Sequence, residues 1–76
     1  MSVRLTIAAH YQELYGVDGK NAPAPRAGES IRAYIARAGL GREEDILPVV
    51  GDSAQPFGYC LKEGDELTIY PLAASG

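Results

Sequence analysis

Two short stretches in which apolar and polar residues strictly alternate stand at opposite ends of this 76-residue chain, with one helical repeat between them. The first is Val3-Arg4-Leu5-Thr6-Ile7 and the second is Glu66-Leu67-Thr68-Ile69-Tyr70. A period of two marks a strand with one buried face, so Val3, Leu5, Ile7, Leu67 and Ile69 are predicted to point into a core. In the helical repeat, Ile31, Tyr34, Ile35 and Ala38 recur at i, i+3, i+4 and i+7. Ser30 precedes this stripe as N-cap, Arg37 puts a cation in its last turn, and Gly39 follows as terminator. The two alternating strands form the natural central pair of a sheet. They run parallel if they lie side by side, because the segment between them is a crossover. One helix must then cover one face of that sheet.

The remaining segments are weaker. Residues 46–50 form an apolar run interrupted by Pro48 and bounded by Gly51-Asp52, which reads as a strand near a sheet edge because proline lacks the N–H of a ladder. Phe57-Gly58-Tyr59-Cys60-Leu61 is expected to be a short, irregular strand. Asn21-Ala22-Pro23-Ala24-Pro25 can be only an edge strand or an extended loop. Residues 10–16 read as a polar, aromatic-rich connection, and Gly16-Val17-Asp18-Gly19 and Lys62-Glu63-Gly64-Asp65 as turns. Glu43-Glu44-Asp45 is a charged connection of at most one helical turn. The predicted fold is α+β, a β-grasp with a mixed four- or five-stranded sheet and one main helix on one face. Residues 1–71 make the domain and residues 72–76 a flexible tail.

A chain this short buries only about 60% of its unfolded surface, which leaves little material for a two-lobed substrate cleft. The net charge is −3, and the seven basic residues are scattered, so the basic patch that phosphate contacts require is missing. Nucleic acid is therefore not an expected partner. No apolar stretch approaches the roughly 20 residues that span a bilayer, so no membrane partner is expected either. One cysteine, Cys60, can form no internal disulfide, and a reducing, cytoplasmic location is expected.

In order and spacing, several pieces of the chain are similar to the MoaD/ThiS family of ubiquitin-like sulfur carriers. Its members are the molybdopterin-synthase small subunit and the thiamine-biosynthesis sulfur carrier. The pieces are the N-terminal strand followed by Tyr11-Gln12-Glu13-Leu14-Tyr15-Gly16, the helix start Gly28-Glu29-Ser30-Ile31, and Val49-Val50-Gly51-Asp52. The fullest is Leu61-Lys62-Glu63-Gly64-Asp65-Glu66-Leu67-Thr68-Ile69-Tyr70-Pro71. The resemblance implies a carrier whose C-terminal glycine, here Gly76, is adenylated and converted to a thiocarboxylate. The sulfur would serve molybdenum- or tungsten-cofactor, thiamine or related biosynthesis. The implied partners are a ubiquitin-activating-type adenylating enzyme, which uses the ATP, and an acceptor enzyme such as a synthase large subunit. No cofactor is expected on the carrier itself. Ala73, Ala74 and Ser75 before Gly76 lack bulk, as suits a tail that threads a channel. The family ends in Gly-Gly where this chain has Ser75-Gly76. The alternative is a β-grasp interaction module or accessory subunit without carrier chemistry.

No catalytic or metal-binding set is legible. His10 has no partner at ligand spacing and is expected in a loop; Cys60 is expected to be a semi-buried hydrophobe. Glu43, Glu44 and Asp45 read as a solvated turn, and no Ser/His/Asp arrangement exists. An enzyme is not expected. The residues opposite the buried set on the two clean strands, Arg4, Thr6, Thr68 and Tyr70, share one open sheet face and are the expected partner-binding surface. Tyrosine there suits a protein contact.

Overall fold

A computed structural model of the chain describes residues 3–17 and 19–72. The elements run β1 (Arg4–Ile7), α1 (Ala9–Tyr15), α2 (Ile31–Ala38), a 3-10 turn (Glu43–Asp45), β2 (Ile46–Val50), β3 (Ser53–Ala54) and β4 (Glu66–Pro71). The strands form one mixed sheet in the order β1-β4-β2-β3. The two alternating segments do pair in parallel, Leu5 beside Leu67 and Ile7 beside Ile69. They are not both central. β4 lies between β1 and β2, and β1 is an edge strand, because residues 21–25, with two prolines, form no ladder beside it.

β2 pairs antiparallel with β4 from Ile46↔Pro71 to Val50↔Leu67, and only its last two residues meet β3. Pro48 faces Ile69 in this ladder while its carbonyl turns outward and accepts from the Gln55 amide at 3.1 Å. Its ring nitrogen therefore points away from β4, and the missing N–H costs no bond to that strand. The stretch from Phe57 to Leu61 is not a strand. It makes one isolated bridge, Ser30↔Cys60, and otherwise serves α2.

That helix begins as its sequence signals require. Ser30 Oγ accepts from the Ala33 amide at 3.1 Å, and the Tyr59 and Phe57 carbonyls accept from the Ile31 and Arg32 amides at 3.0 and 2.9 Å. Three N–H groups that a helix start leaves without partners are thus satisfied. Gly39 ends the helix in the left-handed region at φ 67, its amide donating to Ile35.

The connection expected at residues 10–16 is instead a second helix, α1, closed by Gly16 at φ 68. It buries Tyr11, and His10 lies exposed on its surface rather than in a loop. Val3, Ile7, Tyr11, Ile31, Tyr34, Ile35, Leu40, Ile46, Leu61, Leu67 and Ile69 form one core, with Leu5 partly buried against it. Both helices therefore share the cover of one sheet face.

The open sheet face and the exit of the last strand

The face opposite the core is laid out by the strand registers. Arg4 lies beside Glu66, Thr6 beside Thr68, Thr68 beside Val49, and Tyr70 beside Leu47. Arg4, Thr6 and Tyr70 are exposed and Thr68 is half-buried, so the four residues expected from alternation do lie on one surface. Leu47 and Val49 complete it as half-buried apolar neighbours. Sequence reasoning missed these two. All five residues of β2 are apolar, and a continuous apolar run carries no period to say which side chains face out.

β4 carries the chain off this face. Tyr70 is 43% exposed and Leu72 45% exposed. The Leu72 amide donates to the Asp45 carbonyl at 3.0 Å, so one further bond holds the chain to the turn before β2. The expected tail residues Ala73, Ala74, Ser75 and Gly76 lie outside the described residues.

Other polar groups serve the fold. Asp65 Oδ2 accepts from the Tyr59 hydroxyl and from the Lys62 amide, each at 2.9 Å, which ties the turn before β4. The hydrogen bond to this carboxylate holds the Tyr59 phenol neutral and raises its pKa. Burial pushes the Tyr34 phenol up to about 12, and its hydroxyl donates to the Pro23 carbonyl at 2.7 Å. Glu43, Glu44 and Asp45 engage Arg32 and Arg42 in exposed ion pairs. Cys60 is exposed, contrary to its expected burial. Tyr59 and Leu61 on either side of it pack inward, so the alternation of an extended backbone turns Cys60 out. A shallow cleft between the C-terminal ends of the two helices, lined by Tyr15, Val17, Pro23 and Leu40, contains none of the expected site residues. Among the described residues no group of three His, Cys, Asp or Glu side chains could hold a metal ion. No described helix is long and apolar enough to cross a membrane.

No family model matches the sequence, and no curated protein matches it. Among solved structures, the fold is similar to the crystal structure of SAMP1 from Haloferax volcanii. The likeness covers 100% of both chains at a TM-score of 0.60 and 17% sequence identity. At that identity the likeness is one of fold, and the fold is the ubiquitin-like β-grasp.

Proposed function

We propose that this protein is a ubiquitin-like sulfur carrier whose reactive group is the carboxylate of Gly76. The observation that carries the reading is that β4, an inner strand of the sheet, bears Thr68 and Tyr70 on the open face and is followed in the sequence by the segment ending in Gly76. A partner that covers this face takes hold of the strand that delivers the terminus. The partner-binding residues are Arg4, Thr6, Thr68 and Tyr70, with Leu47 and Val49 between them.

The chemistry uses no side chain of this chain. The Gly76 carboxylate attacks the α-phosphorus of ATP held by an adenylating enzyme, and pyrophosphate leaves. A hydrosulfide-level sulfur nucleophile supplied by a partner attacks the acyl carbon, AMP leaves, and a thiocarboxylate remains for delivery to an acceptor enzyme. Molybdenum- or tungsten-cofactor and thiamine biosynthesis are the acceptor classes this chemistry serves. Glycine at the reacting position leaves the carbonyl unhindered and its φ/ψ free.

The test is intact mass after incubation with ATP, a sulfur donor and the host's adenylating enzyme. Exchange of one oxygen for sulfur adds about 16 Da on the acyl group. Deletion of Gly76 abolishes the product, whereas Ser75→Gly, which relaxes the backbone, leaves or improves it. If no thiocarboxylate forms and Gly76 deletion is silent in the host, the protein is an interaction module instead. The serine at position 75, where the carrier family has glycine, is the feature that favours this second reading.

A further inference from the structure

Among the described residues, the outer side of β1 is the one long sheet edge without a neighbour, since β3 at the other edge has only two residues. The Arg4 amide donates to Asp65 and the Ala8 amide to Ile69, each at 2.9 Å. In a parallel ladder the peptide groups alternate, so those of Arg4, Thr6 and Ala8 face β4 and those of Val3, Leu5 and Ile7 face outward. The far end of the edge is closed. Gln12 Nε2 donates to the Ile7 carbonyl at 2.9 Å, and Gln12 Oε1 accepts from the Gly19 amide at 3.0 Å. Nothing among the described residues does this for Leu5, whose outward N–H and C=O meet no partner. Its side chain is also less buried than Val3 and Ile7 on either side of it. Neither a proline nor a bulge blunts the strand, as edges are commonly protected.

Charge adds to this. Arg32, Arg37 and Arg42 each hold a carboxylate, whereas Arg4, exposed on the open face beside Glu66, makes no ion pair among the described residues. A strand added beside β1 would set a side chain directly next to Arg4 on that face. We propose that the outer edge of β1 is a docking site for an extended segment of a partner protein. The segment pairs with Leu5 through its backbone and places an acidic side chain against Arg4. Backbone pairing of this kind supplies affinity, and the side chains facing Leu5 and Arg4 supply the choice of partner. The site shares Arg4 with the open face, but backbone pairing at Leu5 does not depend on the Gly76 chemistry.

A peptide that reads the same in both directions, Val-Thr-Val-Glu-Val-Thr-Val, tests the edge whichever way a strand adds. Titrated into the full isotopically labelled chain, it should shift the Leu5 and Ile7 amide signals downfield and slow their exchange. One of the two alternating sets of N-methylated peptide amides should abolish binding and the other should spare it. Replacing the central glutamate by lysine should weaken binding about tenfold, and Arg4→Glu should reverse that preference. Arg32→Glu, the same change of charge on α2 behind the sheet, should leave peptide binding unchanged. Absence of binding overturns the proposal, as does insensitivity to both N-methyl sets or a preference unaltered by Arg4→Glu. Concentration-dependent pairing of Leu5 in the chain alone would also overturn it and assign the edge to a second copy.

Discussion

At the scale of single residues, Tyr11 shows how tightly a thin core constrains its lining. The ring is fully buried, and its hydroxyl donates to the Leu40 carbonyl at 2.9 Å. Burial, and then the charges of Asp45 and Tyr15, raise its pKa. The chain closes over this hydroxyl at Gly41, which has φ 145, and a Cβ at that position would run into the Tyr11 oxygen. Tyr11→Phe removes the donor from a buried carbonyl and should cost about 1–3 kcal/mol. Gly41→Ala should also destabilise, through that clash and through a backbone conformation alanine disfavours. In the Tyr11→Phe background the oxygen it strikes is gone. The two costs, measured by urea denaturation, should then sum to less than those of the single variants by more than about 0.5 kcal/mol.

At the scale of elements, α2 is held at its side as well as its ends. Arg37 reaches back to Glu29 in a two-pronged ion pair with contacts of 2.7 and 2.8 Å, and its other bond goes to the Ala24 carbonyl at 3.0 Å. Glu29 also accepts from the Arg26 amide at 3.0 Å, so the pair binds the loop before the helix to the helix surface. The bond from Arg37 lowers the Glu29 pKa, against a smaller opposing effect of burial. A carboxylate depressed in the folded state contributes its stability above its unfolded pKa, about 4.3, and loses it as pH falls through the folded value. The urea midpoint of the wild-type chain should therefore fall between about pH 5 and pH 3 by more than that of Glu29→Gln. Equal losses in the two proteins would show that the pair contributes nothing beyond the other carboxylates.

At the scale of the whole molecule, the sheet has one face committed to the core and one left open, and β4 belongs to both. Leu67 and Ile69 are fully buried while Thr68 and Tyr70 alternate with them on the outer side. Function and folding should therefore separate along a single strand. Ile69→Ala, which leaves a cavity, should cost about 2–5 kcal/mol. Tyr70→Glu should change stability by no more than about 0.5 kcal/mol. If the proposed carrier role holds, it should nonetheless weaken binding to the adenylating or acceptor enzyme proposed as partner, measured by calorimetry. Unchanged affinity would move that interface off the open face.

What the sequence determined by itself was local: which side chains of β1, β4 and α2 face inward, where α2 starts and stops, and which turn precedes β4. These follow from period and capping chemistry, which act over a few residues. The helix α1 escaped because it spans seven residues and its N-cap, Ala8, offers no side-chain bond, so only its Gly16 terminator was legible, and that reads equally as a turn. The rest of the strand order, with β1 at the edge and β2 beyond β4, was decided by the tertiary structure, since alternation says which face of a strand is buried and nothing about which strand lies on its other side. The same holds for Leu47 and Val49 in a wholly apolar strand, and for Cys60, whose outward turn depends on a bridge to Ser30 far away in the chain. The open face was thus half written in its own alternation. The other half came from β2, because a face exists only where neighbouring strands are in register.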